Sequence, residues 1–356
     1  MKFKQLESVA SYSSDRVEVS KLGLENYIST ENMLTNKAGV VSASKLPTGK
    51  TTSAYQKGDI LISNIRPYFK KIWFAENEGG CSNDVLVIRA NQGIDSKFLY
   101  YVLADDKFFE YDTANSKGTK MPRGDKTAIM RYEIPDLTLD EQRTIAETLS
   151  SLDDRIAENK KINHHLEQMA RAIFDDMFPN VTSGDHTIGE YITPKRGKGL
   201  LSKNAVPGPI PVIAGGLQPA TYHNVSNTKA PVLTISASGA NSGYIGLWNT
   251  PVWSSDSSFI DVDMTKDVYF WYVMLSKRQQ EIYDMQTGSA QPHIYPKHIS
   301  IMPTIELSQS QIDEYSRVVT PLFDEIGANK LENKQLEDTR DTLLPKLMSG
   351  EISVTG

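Results

Sequence analysis

The stretch TLDEQRTIAETLSSLDDRIAENKKINHHLEQMARAIFDDMF runs from Thr138 to Phe178 without a glycine or proline. It opens with Thr138 and Glu141 in the spacing of a capping box, in which each side chain satisfies a free backbone N–H. It predicts a helix of about forty residues, or roughly 60 Å. Side chains at steps of three and four then form the a/d seam of a coiled coil: Ile145, Leu149, Leu152, Ile156, Asn159, Asn163, Leu166, Ala170, Ile173 and Met177.

The same pattern returns 170 positions later. Ser308 and Gln311 repeat the cap, and Asn329 and Asn333 repeat the two seam asparagines, which cost stability but specify register. Pro321 and Pro345 fall inside the copy, so we expect a short helix over 309–320, a kink, and a main helix that restarts at Pro321. Pro345 and Gly350 should mark the end of the seam. The second seam is Tyr315, Val319, Leu322, Ile326, Asn329, Asn333, Leu336, Arg340, Leu343 and Leu347.

The segments before each long helix repeat more loosely. The β-rich runs 59–63 and 231–236, and later 84–88 and 258–262, predict buried strands, while runs starting at Leu99 and Tyr269 predict helices. Loop 118–123 aligns with loop 288–293 at the same offset of 170. The predicted fold class is α+β: two globular domains with mixed β-sheets, and two long helices that pair as an antiparallel coiled coil, related by an internal pseudo-two-fold repeat. The predicted domains are 1–133, 134–180, 181–301 and 302–356.

Charge follows the same division. The chain has 356 residues and a net charge of −6, but residues 1–133 carry +3 and 181–301 carry +1, whereas 134–180 and 302–356 carry −5 each. Because binding depends on where charge lies, two mildly basic globules remain compatible with nucleic acid. No apolar run is long enough to span a bilayer, and the N-terminus lacks a signal-peptide core, which predicts a cytoplasmic protein with no membrane contact.

The residues of a catalytic site are not apparent. The glycine-rich loop and the Asn/Asp-Pro-Pro-aromatic element of an amino-methyltransferase are missing, and Gly197–Gly199 does not complete a phosphate-binding loop. Glu-x-Lys strings like those of nucleases occur at 158–160 and 332–334, but both fall on the predicted helices. There, charged residues on the solvated flank of a coiled coil are the better interpretation than a metal site. One cysteine, Cys81, and histidines without ligand spacing predict neither a disulfide nor a metal site. We therefore expect a non-enzyme without a cofactor.

Several motifs together resemble the specificity subunit of type I restriction–modification systems. Residues 58–67 (GDILISNIRP) are similar to the central strand of that family's target-recognition domain. The stretch 134–142 with its helix, and 302–305 with 343–352, resemble the family's two conserved regions, and 288–294 is also typical. The resemblance covers nearly the whole chain in the family's order.

The resemblance implies a DNA-binding, non-catalytic subunit that sets sequence specificity in phage defence. Each globule would bind one half of an asymmetric bipartite target in double-stranded DNA, while the helices set the spacing and dock two methyltransferase subunits. Methylation and cleavage would reside in partners, with restriction/translocase subunits present in the full complex. Because the helices are roughly 60 Å long, the two globules would lie more than one duplex turn apart.

Candidate DNA contacts are polar and basic side chains in the strand-end and Gly/Pro loops of each globule. The glycines beside Lys198 would let backbone N–H groups approach a phosphate. For each candidate the alternative interpretation is an ordinary solvated surface residue. For the loops 118–123 and 288–293 the alternatives are a purely structural turn or a contact that docks the globule onto the helices. The candidates are Asn64, Arg66, Lys70, Lys71, Lys117, Lys120, Arg123 and Lys126 in the first globule, and Lys195, Arg196, Lys198, Asn241, Gln291, His293 and Lys297 in the second.

Two other functions compete with this one. The acidic helices fit a coiled-coil protein–protein adaptor without direct DNA contact equally well. The recognition half of a single-chain restriction enzyme is disfavoured, because the sequence begins with the first globule and carries no catalytic segment. Which bases are bound, and the length of the spacer, do not follow from these residues.

Overall fold

The computed structural model describes residues 2–288 and 291–353. The chain divides into two compact units: unit 1 comprises residues 1–156 and 334–356, and unit 2 comprises residues 157–333. Each unit contains one globule together with the parts of the two long helices that pack on it, so the division falls within both helices. The four predicted domain ranges separate globules from helices instead, and those bounds stay a prediction.

Unit 1 has two four-stranded sheets and a short two-stranded one. The first sheet is antiparallel in the order β2-β9-β6-β7, the second has the order β3-β5-β8-β4 with β4 and β8 parallel, and β1 pairs with β10. The strands are β1 Phe3–Gln5, β2 Ala10–Tyr12, β3 Arg16–Glu18, β4 Tyr27–Ile28, β5 Thr51–Tyr55, β6 Ile60–Ser63, β7 Ile72–Phe74, β8 Gly79–Cys81, β9 Val85–Ala90 and β10 Glu133–Pro135, and the helices are α1 Ser96–Ala104, α2 Asp106–Asn115 and α3 Lys126–Met130, followed by the long α4 Leu139–Met177.

Unit 2 repeats this order with a smaller second sheet. Its antiparallel sheet is β12-β18-β15-β16, its second sheet is β14-β13-β17 with β13 and β17 parallel, and β11 pairs with β19. The strands are β11 His186–Thr187, β12 Lys195–Arg196, β13 Ile210–Ile213, β14 Thr221–His223, β15 Val232–Ser236, β16 Ile245–Trp248, β17 Trp253–Ser254, β18 Ser257–Asp261 and β19 Pro303–Thr304, and the helices are α5 Val268–Lys277, α6 Gln279–Asp284, α7 Pro296–Ser300 and the long α8 Gln309–Ser349.

The predicted strands and helices are confirmed where the sequence pattern was strongest. β6 and β15 lie in the middle of their sheets, and all of their residues are buried. Their continuous apolar runs reflect this burial on both faces. The helices predicted to start near Leu99 and Tyr269 are α1 and α5. The α+β class and the internal repeat are therefore confirmed.

The first long helix begins as predicted. Glu141 Oε2 accepts the Thr138 backbone N–H at 2.8 Å, and Thr138 Oγ1 accepts the Glu141 N–H at 3.4 Å, which completes the capping box. At the second long helix the Ser308 hydroxyl instead lies 2.8 Å from the Ser310 hydroxyl. The repeated cap therefore differs in its contacts, although both helices start at the expected residue.

The predicted interruption of the second long helix is wrong. α8 runs without a break from Gln309 to Ser349, through both Pro321 and Pro345. Pro321 lies on the exposed side, while Val319 and Phe323 beside it are buried. The apolar burial of this turn offsets the hydrogen bond that the proline cannot make. Gly350, with φ of 74°, follows the last helical residue, as the sequence predicted for the helix end.

Within each unit the two long helices run antiparallel. In unit 2, Asn159 pairs with Asn333, Asn163 with Asn329, and the Ala170 carbonyl with Tyr315, so that numbers rise along one helix as they fall along the other. In unit 1, Asp153 pairs with Arg340 in the same direction. The predicted seam side chains are all buried or half-buried: Ile156, Asn159, Ile326, Asn329 and Asn333 are buried, and Leu152, Asn163, Leu166, Leu322 and Leu336 are half-buried.

Candidate nucleic-acid interface

In unit 1 a short loop is attached to the end of the central strand. The backbones of Lys117 and Arg123 exchange two hydrogen bonds of 2.8 and 2.9 Å, which closes the loop, and Gly118 within it has a φ of 101° that suits glycine. The Arg66 N–H donates to the Pro122 carbonyl at 2.8 Å, and the Gly124 N–H donates to the Asn64 carbonyl at 3.1 Å. The structure thereby brings together four of the predicted contact residues: Asn64, Arg66, Lys117 and Arg123.

Unit 2 builds the same arrangement from different side chains. The Thr287 N–H and the His293 N–H each donate to the other residue's carbonyl, at 3.1 and 2.8 Å, and Gly288 has a φ of 98°. The Gly239 N–H then donates to the Pro292 carbonyl at 3.1 Å, just after the central strand β15. Gly239 (φ 84°) takes the place of Arg66, which adopts the same left-handed region at 52°. Ser289 and Ala290 of the predicted motif lie outside the described residues.

These contacts show where each loop attaches. Within the described residues, each loop makes its backbone bonds to residues that follow a central strand of its own unit. The loops therefore carry side chains at the strand ends.

The basic side chains of the unit 1 loop are held by carboxylates but remain exposed. Arg123 Nη2 lies 3.0 Å from Asp84 Oδ1, and its side chain is 57% exposed. Lys117 Nζ lies 2.5 Å from Asp125 Oδ2 and is 79% exposed. Exposed pairs of this kind contribute little to stability, so the cations can exchange one anion for another. Arg66 differs, because its Nε is buried without a hydrogen-bond partner in the described residues.

The other predicted lysines of unit 1 divide into two groups. Lys70 Nζ lies 2.8 Å from Asp106, and Lys71 Nζ donates to the Thr30 carbonyl at 2.7 Å, so both tie segments of the globule together. Burial also lowers the pKa of Lys71. Lys120 and Lys126, in contrast, are exposed and form no ion pair within the described part of the chain. Of these four lysines, Lys120 and Lys126 therefore suit a phosphate contact, whereas Lys70 and Lys71 do not.

In unit 2 one of the predicted residues, Arg196, is held by a carboxylate. Arg196 Nη2 lies 2.6 Å from Asp256 Oδ1, and the Ser238 hydroxyl donates to Asp256 Oδ2. Ser238 also forms a β-bridge with His293, whose ring stacks on Tyr295 at 5.9 Å. Asn241 lies in the next turn and donates to the Gly215 carbonyl at 3.5 Å. Four further predicted residues are exposed: Lys195, Lys198, Gln291 and Lys297.

The predicted role of the glycines beside Lys198 is wrong for two backbone groups. The Gly197 N–H donates to the Ser257 carbonyl at 2.8 Å, and the Lys198 N–H donates to the Ser254 carbonyl at 2.9 Å, so neither faces a ligand. A Cβ on Gly197 would lie 2.4 Å from the Ser254 carbonyl oxygen. Glycine is required here because two backbone segments pack closely, not because a phosphate approaches.

Sequence reasoning missed the carboxylates that hold the arginines. Asp84 directly precedes β9 and Asp256 directly precedes β18, so the two occupy equivalent positions of the repeat. An acidic residue before each of these strands was a visible signal. Exposed apolar side chains near the loops were also missed: Tyr68, Met121 and Tyr295 are about half exposed. Such groups can contact thymine methyl groups.

Other chemistry has little support in the described residues. No cluster of three or more His, Cys, Asp or Glu side chains could hold a metal ion there. Cys81 is buried, and this burial raises the pKa of its thiol to about 12, which disfavours a reactive thiolate. Among the helices of residues 2–288 and 291–353, none combines the length and the apolar character that a membrane span requires.

Comparison with known proteins agrees with this arrangement. Residues 3–168 match the family model described as the type I restriction modification DNA specificity domain. The chain is 24% identical to the Type I restriction enzyme MjaIX specificity subunit of Methanocaldococcus jannaschii, with 84% of this chain and 79% of the relative covered. It is also 24% identical to the Type I restriction enzyme HindI specificity subunit of Haemophilus influenzae, with 92% and 94% covered.

A solved structure has the same fold. The crystal structure of the type I restriction–modification system S subunit from M. genitalium matches with a TM-score of 0.62 and 22% identity, covering 98% of this chain and 96% of that one. The repeated sheet order, the antiparallel helices and these relatives point to one family. Residues 3–168 match the type I restriction modification DNA specificity domain, and over most of its length the chain is similar to specificity subunits of type I restriction–modification systems.

Proposed function

We propose that this chain recognises a bipartite DNA sequence, with each unit contacting one half of the target. The observation that carries the proposal is the repeated loop at the end of each central strand, with the same backbone bonds but different side chains. Unit 1 presents Arg66 and Arg123 where unit 2 presents Gly239 and His293. Sequence is recognised through side-chain contacts to base edges. Two loops with the same backbone bonds but different side chains therefore suit two different half-targets.

The charges around the loops support this proposal. Arg123 and Arg196 are each paired with one half-buried carboxylate, which keeps an arginine in place while it remains able to bind a guanine edge or a phosphate. Lys120 and Lys126 have no such partner in the described residues, so they suit phosphate contacts. Since both globules are only mildly basic, tight binding requires other subunits to close around the duplex.

The remaining roles belong to the assembly. The long helices set the distance between the half-targets and dock two methyltransferase subunits, and restriction/translocase subunits join in the full complex. Methylation and cleavage reside in those partners, and this chain supplies specificity. The relatives' names state that they are specificity subunits of type I restriction enzymes.

Methylation mapping tests the function directly. After co-expression with the cognate methyltransferase subunit, sequencing should find modified bases within one asymmetric, two-part motif. Substitutions in the unit 1 loop should relax one part of that motif, and substitutions in the unit 2 loop should relax the other. The proposal fails if modification occurs without this chain, or if loop variants in both units leave the motif unchanged.

A protein–protein adaptor remains the second candidate, since the acidic helices fit it as well. The two functions differ in their response to salt. Binding through phosphates weakens steeply as salt rises, because counterions are released from DNA. A target affinity that does not change between 50 and 200 mM salt would favour the adaptor.

A further inference from the structure

Beneath the unit 1 loop, a polar set of residues replaces an apolar set of unit 2. The Gly124 N–H donates to the Asn64 carbonyl, as the Ile294 N–H donates to that of Ala237, at 3.1 and 3.0 Å. Asp112 on α2 stands 170 positions before Ile282 on α6, which is fully buried. Where unit 2 has Ala237, Ile282 and Ile294, unit 1 therefore has Asn64, Asp112 and Gly124.

The oxygens of this polar set are buried without partners. Asp112 is 1% exposed, and neither of its carboxyl oxygens has a hydrogen bond within the described residues. The side-chain oxygen of Asn64 is in the same state. A Cβ on Gly124 would lie 2.4 Å from Asp112 Oδ1 and 3.0 Å from Asn64 Oδ1, so both oxygens line the space next to this glycine. Buried polar atoms are normally paired, so this arrangement requires a donor.

A proton on Asp112 supplies that donor. An ionised carboxylate only accepts hydrogen bonds, whereas the neutral acid has an O–H that can donate toward the Asn64 oxygen. Tyr12 on β2 interacts electrostatically with Asp112, but its hydroxyl already donates to the Lys126 carbonyl at 3.0 Å. Tyr111 on α2 likewise donates to the Ala128 carbonyl. No lysine or arginine of the described residues pairs with Asp112, and burial raises the pKa of its carboxyl to about 7.

We propose that the neutral carboxyl of Asp112 is a positioning group for the DNA-contacting loop of unit 1. It holds the side chain of Asn64, and through Asn64 it fixes the adjoining Arg66 and the loop bonded to it. Ionisation places a buried negative charge beside the Asn64 oxygen and loosens this set. Recognition of one half-target therefore weakens as the pH rises through neutrality, whereas unit 2 has the uncharged Ile282 in the same place. The inference rests on the proposed function.

The test compares pH profiles of target binding by the complete methyltransferase complex, with the target taken from methylation mapping. Between pH 6 and pH 8 the neutral fraction of a group with a pKa of about 7 falls from about 0.9 to about 0.1, so wild-type affinity should fall about tenfold. Asp112→Asn, which is neutral and keeps a donor, should bind well and lose this tenfold fall. Asp112→Leu should lose the fall too, but with lost discrimination in one half-target only. Glu110→Gln, an exposed carboxyl on the same helix, should keep the wild-type slope.

A second measurement does not depend on DNA. Carbon-13 labelling of aspartate carboxyls, with the Asp112 signal assigned from its loss in the Asp112→Asn or Asp112→Leu protein, gives the pKa of this group in the free chain. A value near 4, or the same pH slope in wild type and Asp112→Asn, overturns the inference. A wild-type complex that shows no target preference at any pH would instead reject the proposed function. The carboxyl titration does not involve DNA, so it tests the role of Asp112 separately.

Discussion

The side-chain amide of Asn159 donates to Asn333 Oδ1 at 2.9 Å, at a seam position that is fully buried. The amide of Asn329 donates to Asn163 Oδ1 at the same distance. Under the 170-residue offset Asn159 corresponds to Asn329 and Asn163 to Asn333, so the two hydrogen bonds are copies of each other. A seam of leucine alone would permit neighbouring registers, whereas these two hydrogen bonds form in one register only.

Single replacement of either asparagine should destabilise unit 2. In Asn159→Leu the buried Asn333 side chain loses its hydrogen-bond partner, and this unpaired polar group lowers the free energy of unfolding by about 1–3 kcal/mol. Replacing both with leucine removes the unpaired group, so Asn159→Leu/Asn333→Leu should recover most of that loss. Chemical denaturation measures the free energy of unfolding, with exposed Lys160→Ala as the control. A double variant as unstable as the single one would contradict the role of the pair.

A polar network in unit 1 replaces packed side chains of unit 2. Asp153 accepts from Tyr101 at 2.7 Å and from Arg340 at 2.6 Å. Its repeat equivalent is buried Phe323, and that of Arg340 is buried Ala170. Arg340→Ala should lower the free energy of unfolding by about 1–3 kcal/mol, because Asp153 is left half-buried without its cation.

The matched test places the unit 2 side chains, Phe and Ala, at positions 153 and 340. In a Tyr101→Phe background, Asp153→Phe/Arg340→Ala should recover stability relative to Arg340→Ala, since neither an unpaired carboxylate nor the hydroxyl that donates to Asp153 remains. Thermal melting of the three proteins side by side measures this. Our interpretation is wrong if Arg340→Ala melts like wild type, or if the double variant melts lower than the single one.

Asp112 should make folding stability depend on pH. Its folded pKa of about 7 lies above its ordinary value of 3.8, so the folded state holds the proton more tightly than the unfolded state. The penalty for ionisation is absent below about pH 4, grows as the pH rises to about 7, and is constant above that, reaching at most about 4 kcal/mol. Asp112→Asn should therefore gain stability relative to wild type between pH 4.5 and 8. Parallel stability curves for the two proteins would exclude this.

Arg123 should contribute to DNA affinity and Asp84 should restrain it. Arg66→Ala and Arg123→Ala should each weaken target binding by about 1–3 kcal/mol while subunit assembly survives, and a base contact should also relax one target position. Asp84→Asn removes the carboxylate 3.0 Å from Arg123 and should keep or strengthen affinity. Arg131→Ala, exposed in the same unit, is the control for lost charge. Unchanged affinity in both arginine variants would remove these residues from the interface.

The helix seam is predicted to support partner docking. Leu322→Asp places a charge at a half-buried seam position in unit 2, and Leu152→Asp does so in unit 1. Burying a carboxylate against the partner helix is unfavourable, so both should disrupt the helix pair and abolish methyltransferase recruitment. Native mass measurement of mixed subunits shows whether the complex forms, and an intact complex would argue against the scaffold role.

The sequence by itself determined the local features that repeat along the chain. The seam from Ile145 to Met177, the capping box at Thr138 and the buried runs at β6 and β15 depend on periodicity and on neighbours a few residues away. The 170-residue offset made the two-fold repeat visible, because the same local patterns occur twice in the same order.

Only the tertiary structure decided what depends on distant neighbours. Pro321 continues a helix because Val319 and Phe323 bury their side chains in the core of unit 2, and Gly197 serves close packing on Ser254 rather than a ligand. The pairing of Arg123 with Asp84, and the meeting of Asn64 with Asp112 at Gly124, join residues about forty or more positions apart. Such contacts follow from the path of the whole chain, and local propensity carries no information about them.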